Sequence, residues 1–404
     1  MRTAVWLYLF LFVAFFDLHA QYPMLTPFAV SLGAAPSFIG LVMGMYSLTH
    51  LPGNLIAGYA VDRLGSRLFI MFSLAGAGLL LILQSKVDDP WQLLYIRSVS
   101  GFVLAFLSPA CMSLLARLAK DHIHQGKLMA GNGLVHTIAS VVSPAAGAWL
   151  AATIGFSRSF AILGWILLAT GLSSILFVRE PKIVPAKPAG SPPLGHAHAH
   201  AHAAQPLPAG DAPHVSRAFP WSVFLLPISM AFAQGILAFE LPLRGTSSAE
   251  IMTTGLLFSV VSLGALATLG LLFLNRYLPY ARTIAGVMLL AVAYYGLAAG
   301  WPVPLLALLF VIGMSKGVIF PAMTSLMLQL SGPSRYGRTF SALSIALSIG
   351  SFLGPVAAGA ARDSFSPYFL SFLGLMTALI FLFPRPVFHM NWSTKPPAPN
   401  APGS

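Results

Sequence analysis

Uncharged apolar runs long enough to cross a membrane recur along the whole chain. Residues 68–85, 251–275, 283–315 and 339–361 contain no Asp, Glu, Lys or Arg. A helix rises 1.5 Å per residue, so about 20 apolar residues cross the hydrocarbon of a bilayer. Lipid offers the backbone no hydrogen bonds, so a spanning segment must satisfy its own N–H and C=O groups, and continuous apolar runs do this as helices. The apolar–polar alternation of an outer-membrane barrel is absent. Only 8% of the 404 residues are charged and 57% are hydrophobic, whereas a soluble domain carries roughly 25% charged residues. The sequence therefore predicts an all-α membrane protein.

Twelve transmembrane helices are expected, at 4–28, 37–60, 68–85, 92–114, 128–153, 159–178, 221–243, 251–273, 283–300, 303–329, 339–361 and 367–384. Turn signals such as Gly33, Asp88-Asp89-Pro90 and Trp301-Pro302-Val303-Pro304 separate them. With the N-terminus in the cytoplasm, sixteen Lys and Arg residues fall inside, four fall outside, and Arg97 and Lys316 lie within spans. That bias sets the orientation in an inner or plasma membrane, and an even number of spans places both termini in the cytoplasm. The start, Met1-Arg2 with Leu18-His19-Ala20, has the outline of a cleaved signal, but its apolar run continues to Val30, too far for one. Net charge is +12. Nucleic-acid binding needs a solvated basic patch; here the basic residues are scattered singly between apolar runs, so no nucleic-acid partner is expected. The single cysteine, Cys111, permits no disulfide within the chain.

Residues 181–219 form the one long hydrophilic segment, rich in Pro, Ala, Gly and His. Such a composition builds no core and reads as a flexible linker. The expected organisation is a six-helix bundle over 1–180, a cytoplasmic linker over 181–219, a second six-helix bundle over 220–385 and a disordered cytoplasmic tail over 386–404. In the linker His196, His198, His200 and His202 alternate with Ala, on one side of an extended chain. They are weak candidates for zinc, nickel or copper. Metal sites want fixed geometry, so adventitious binding is the plainer expectation.

The two halves match at an offset near 212. Gly101 through Pro109-Ala110-Cys111-Met112-Ser113-Leu114 parallels Gly313 through Pro321-Ala322-Met323-Thr324-Ser325-Leu326. Ala20-Gln21 parallels Ala233-Gln234, Gly58 parallels Gly270, and Pro144-Ala145-Ala146-Gly147 parallels Pro355-Val356-Ala357-Ala358-Gly359. Six-helix halves of the same topology imply a pseudo-two-fold axis along the membrane normal.

After the second span the chain reads Gly58-Tyr59-Ala60-Val61-Asp62-Arg63-Leu64-Gly65-Ser66-Arg67. Gly58 permits close helix approach, Gly65 a tight turn, and Asp62 offers an anion to a helix N-terminus or a nearby cation. Arg63 and Arg67 hold the segment in the cytoplasm. This stretch resembles the Gly-x-x-x-Asp-Arg-x-Gly-x-Arg motif of the major facilitator superfamily at the same place. The resemblance covers nearly the whole chain and implies twelve helices in two pseudo-symmetric six-helix bundles, with the motif helping to close a cytoplasmic gate. Arg97-Ser98-Val99-Ser100-Gly101 is similar to the family's Arg-x-x-x-Gly pattern. Ser143-Pro144-Ala145-Ala146-Gly147 and Gly350-Ser351-Phe352-Leu353-Gly354-Pro355 resemble its Gly-Pro helix pattern, which makes Pro144, Gly147, Gly354 and Pro355 candidate hinges. In plain packing terms the same residues are kinks and close contacts.

An ionisable group within a span costs about 2.5–3.5 kcal/mol by insertion scales and should face the protein interior. Asp17, Arg97 and Lys316 lie within the first, fourth and tenth spans, three of the four that line the central cavity by family resemblance. Gln21 shares the face of Asp17 one turn away, and Gln234 is its counterpart in the repeat. Two roles stay open for the charges. Either Asp17 is a protonation site tuned by Arg97 or Lys316, or the two cations hold an anionic group of a substrate; a plain Asp17–Lys316 ion pair is the structural alternative. Glu240 reads as an interface residue. The expected function is secondary active transport of a small organic molecule by alternating access, coupled to protons, either as efflux or as organic-anion transport. A monomer with no cofactor is expected. No Gly-x-x-x-x-Gly-Lys-Ser/Thr cassette occurs and no catalytic constellation is visible, so an enzyme is not expected. The rival is a transition-metal transporter with the His-rich linker as sensor, against which no span carries a close carboxylate or His pair.

Overall fold

The computed structural model describes residues 2–119, 122–178, 221–245, 247–271, 276–331 and 336–382. The expected linker at 181–219 with its His196, His198, His200 and His202, and the tail at 386–404, lie outside the described residues. Within them there are α-helices, short 3-10 turns and no strand. The first half runs α1 (Arg2–Ala20), α2 (Tyr22–Ser31), α3 (Pro36–Leu64), α4 (Ser66–Gln84), α5 (Pro90–Leu104), α6 (Leu107–Leu118), α7 (His122–Ile154) and α8 (Phe156–Phe177). The second runs α9 (Leu225–Glu240), α10 (Ser248–Leu269), α11 (Pro279–Ala298), α12 (Leu305–Ser331), α13 (Tyr336–Ala361) and α14 (Pro367–Leu382). Ten stretches among the described residues are long and apolar enough to cross a membrane on length and composition alone. The 29-residue α3 and the 16-residue α14 complete twelve passes.

Three of the departures from the expected spans have a local cause in the sequence. The first span is broken at Gln21 into α1 and α2, and Pro23 in the first turn of α2 has no N–H to return to the carbonyl of His19. The fourth span is broken at Ala105–Phe106, where Pro109 likewise leaves the carbonyl of Ala105 without its helical donor. The stretch 58–67 is not a loop: Asp62 and Arg63 lie in the last turn of α3, and Gly65 alone joins α3 to α4. Its φ of +91° and ψ of 153° are open only to glycine at low cost.

Helix packing repeats between the halves. Within the first, α4 packs on α8, α1 on α7 and α3 on α5; within the second, α11 packs on α14, α9 on α13 and α10 on α12. Each pair in the first set matches its counterpart in the duplicated topology. The repeat glycines sit at matching contacts: Gly101 of α5 lies on the backbone of Tyr46 in α3, and Gly313 of α12 on that of Val261 in α10. A buried apolar cluster drawn mainly from residues 4–178 and another from 223–382 form two cores. Between the halves α3 packs on α13, and α7 on α10.

Both seams make close glycine contacts near the face opposite the start of α1. Gly40 and Gly44 lie against Pro355, Val356 and Phe352, and Gly359 against Pro36. On the second seam Gly255 lies against Ala148 and Pro144. Toward the other face a small pocket of about 90 Å³, lined by Asn54, Ser341, Ser344 and Ser348, lies between α3 and α13.

Candidate functional site

A cavity of about 490 Å³ lies between the halves and is walled by both. Its polar groups come from helices that are otherwise apolar, so each is held in place by a specific partner. In α1, Asp17 and Gln21 are one turn apart and almost fully buried, 3% and 4% exposed. Gln21 Nε2 donates to Asp17 Oδ2 at 2.9 Å, and its Oε1 accepts from Arg97 Nη1 of α5 at 2.7 Å. The neutral amide thus bridges an acid and a guanidinium that would otherwise meet as a buried ion pair. The Arg97 guanidinium also lies 4.7 Å from the centre of the Tyr46 ring in α3, a cation–π contact that gains strength where water is excluded.

Gln21, Arg97, Gln234 and Lys316 all line the cavity, and Asp17 sits behind Gln21, off its wall. Gln234 of α9 is exposed into the space. Lys316 of α12 is half-buried, beside Gly317, which packs on Thr268 and Ala265 of α10. No hydrogen bond or ion pair joins Lys316 to the described residues, so the Asp17–Lys316 pair weighed from sequence does not form there. The cation tied to Asp17, through Gln21, is Arg97.

Imidazoles add to the wall. His19 shares a hydrogen bond with the carbonyl of Phe15 at 2.7 Å, and its ring lies 5.2 Å from that of His136 in α7. His50 and Asn54 of α3 share one at 2.7 Å. Asn132, one turn from His136, is buried but lies off the cavity wall. Tyr22 of α2 meets Phe258 of α10 at 5.7 Å, a ring contact between the halves. Sequence reasoning missed the Tyr46 role, although Tyr46, His50 and Asn54 mark a four-residue polar stripe on an apolar helix.

The candidate hinges lie where the cavity meets the sealed face. Pro144 and Pro355 line the cavity within α7 and α13. Gly147 packs on the backbone of Ala20, and Gly354 on that of Phe232. Near the same face Glu240 pairs with Arg362 at 3.2 Å. At the other face Gly58 is buried in α3, the Arg63 guanidinium covers the Tyr59 ring at 4.5 Å, and Arg67 donates to the Ile175 carbonyl at the end of α8. Cations are favoured at helix C-termini, where carbonyls lack partners. The Asp62 side chain lies outside the described residues. Among the described residues no three His, Cys, Asp or Glu side chains gather to hold a metal.

Comparison with known proteins agrees with this architecture. The bacterial homologue of the human lysosomal transporter Spinster, solved inward-facing and occupied, superposes with a TM-score of 0.72 at 17% identity over 94% of this chain and 95% of that one. The human organic anion transporter MFSD10 (TETRAN) superposes with a TM-score of 0.62 at 18% identity over 94% of this chain and 99% of that one. At such identities these likenesses establish the fold. In sequence, the multidrug resistance protein MdtG of Salmonella paratyphi B, like that of Salmonella newport, is 28% identical over 165 residues. The match spans 40% of this chain and 41% of that relative. The profile of the Major Facilitator Superfamily matches residues 7–299 and 281–402. Twelve helical passes, their duplicated packing and this match together identify the chain as a multi-pass membrane protein that belongs to the Major Facilitator Superfamily.

Proposed function

We propose that this chain is a secondary active transporter that moves a small organic molecule across a cell membrane by alternating access. One observation carries the reading: a largely apolar cavity with a few polar groups, walled by both halves, whose seams pack glycine on backbone near the face opposite the start of α1. Rocking of the halves about that site exposes it to each side in turn. The basic-residue bias favours placing the face where α1 begins in the cytoplasm of an inner or plasma membrane, and we read the conformation as opening inward with both termini inside. The bundles are assigned to 1–180 and 220–385, joined by a cytoplasmic linker at 181–219 and followed by a tail at 386–404. The monomer is taken as the transporting unit, a reading supported by a cavity whose walls come from the two halves of one chain.

Protons are the proposed coupling ion and Asp17 their site. It stands one amide away from the cavity and from Arg97, so a change in its charge is felt by the group that anchors α5 to α1. The motif at Gly58, Asp62, Arg63, Gly65 and Arg67 serves the cytoplasmic gate, and Pro144, Gly147, Gly354 and Pro355 act as hinges. Efflux of amphipathic drug-like molecules and organic-anion transport both fit a site of this size and polarity. Purified protein in liposomes under an imposed pH gradient tests the scheme. Transported compounds should accumulate only while the gradient lasts; transport that ignores the gradient for every carried compound rejects the coupling.

A further inference from the structure

The cavity wall carries two cations, Arg97 and Lys316, and among the described residues that line it there is no carboxylate. The cations stand on opposite halves, Arg97 on α5 and Lys316 on α12. They are not equivalent. Arg97 is already engaged by Gln21 and lies over the Tyr46 ring. Lys316 has no such partner among the described residues, in surroundings where an ammonium is costly to hold. Among the described residues the acid of this cluster, Asp17, lies off the cavity wall, with one of its oxygens held by Gln21. A cationic guest therefore meets two like charges and no accessible counter-charge, whereas an anion meets a free ammonium.

The remaining wall adds a second requirement. Phe15, Tyr22, Phe258 and Phe320 present ring surface, joined by the imidazoles of His19 and His136. Tyr22 and Phe258 come from different halves. Aromatic faces favour a flat apolar body, and stacked or edge-on rings gain beyond the area they bury. Small polar anions leave that surface unused.

We propose that the cavity takes an amphipathic aromatic anion, its acidic group on Lys316 and its ring system among the aromatic side chains of both halves. The assignment deepens the transporter reading and rests on it for treating the cavity as a substrate site. A guest held this way joins α12 to rings on α1 and α2, so it ties the two bundles across their seam.

The test uses three probes of one shape, naphthylacetate, naphthylacetamide and naphthylethylammonium, titrated calorimetrically against the purified full-length chain. Naphthylacetate should bind at least about tenfold more tightly than the other two. Lys316→Met should remove that advantage while leaving the neutral amide within about twofold, and Lys316→Arg should restore it. The proposal is overturned if the ammonium or the amide binds as well as the acetate. It is equally overturned if Lys316→Met weakens all three alike, or if the acetate shows no heat of binding by about 1 mM. Counterflow of the same probes in liposomes separates the two levels of the argument. Carriage of the ammonium alone rejects the anion assignment and keeps the transporter; binding of the acetate without counterflow does the reverse.

Discussion

Replacing Gly44 by Ala should tilt the protein away from the conformation described here. A Cβ at Gly44 would stand 2.8 Å from the Phe352 carbonyl oxygen, 3.0 Å from Phe352 Cδ2 and 3.1 Å from Val356 Cγ2. The two side-chain atoms can turn aside. The carbonyl belongs to the backbone of α13, so relief needs α3 and α13 to separate. Overpacking of this kind costs about 1–3 kcal/mol, and the cost falls only on the state in which that seam is closed. The ratio of closed to parted seam should therefore drop about 5- to 150-fold. The readout is a single reporter thiol, Ser262→Cys, on the cavity wall, in a chain whose own Cys111 is buried and silent. A membrane-impermeant maleimide is applied to either side of sealed vesicles. The parent should label from the face where α1 begins, and Gly44→Ala should raise labelling from the opposite face at least about fivefold. Gly76→Ala is the control: its Cβ would meet Val103 Cγ1 at 2.9 Å inside one half, which should lower the melting temperature without changing the labelled side. If Gly44→Ala labels like the parent while melting like Gly76→Ala, the seam does not govern which side is open and the rocking scheme loses its gate.

Three further outcomes follow from named contacts. Asp17→Asn keeps an acceptor for Gln21 but has no charge to change, so gradient-driven accumulation should vanish while counterflow persists; retained accumulation clears Asp17 of coupling. Gly65→Ala forces a side chain onto a φ of +91° and should cost about 1–3 kcal/mol, seen as a lower melting temperature in detergent; an unchanged melt means the turn relaxes freely. Glu240→Gln removes one ion pair whose Arg362 side chain is 32% exposed, so stability should fall by no more than about 1 kcal/mol. Gradient-driven uptake by that variant should match the parent, and its loss would move the coupling acid from Asp17 to Glu240.

The spans were readable because an uncharged run of that length has one stable form in lipid. Their interruptions were not. Pro23 and Pro109 sit inside runs that look continuous, since membrane helices tolerate proline where neighbours resatisfy the freed carbonyl. The Asp17–Gln21 contact follows from four-residue spacing on one helix. The bridge onward to Arg97 joins residues 76 apart and depends on how α5 lies against α1, which helical period does not encode. For the same reason sequence placed Asp17 on the cavity and could not see that Gln21 stands in front of it. The repeat announced matching glycines; which backbone each one meets came from the packing. Arg67 read as a topology signal because its partner is a carbonyl, and carbonyls are invisible in a residue code.

The single-residue joint at Gly65 leaves no slack between a helix of the moving seam and a helix on the flank of its bundle. Because Arg67 grips the end of α8 just beyond it, three helices share one knuckle on a water-facing edge. An antibody fragment that clasps this knuckle would hold the whole half by its handle, arresting the cycle without entering the cavity.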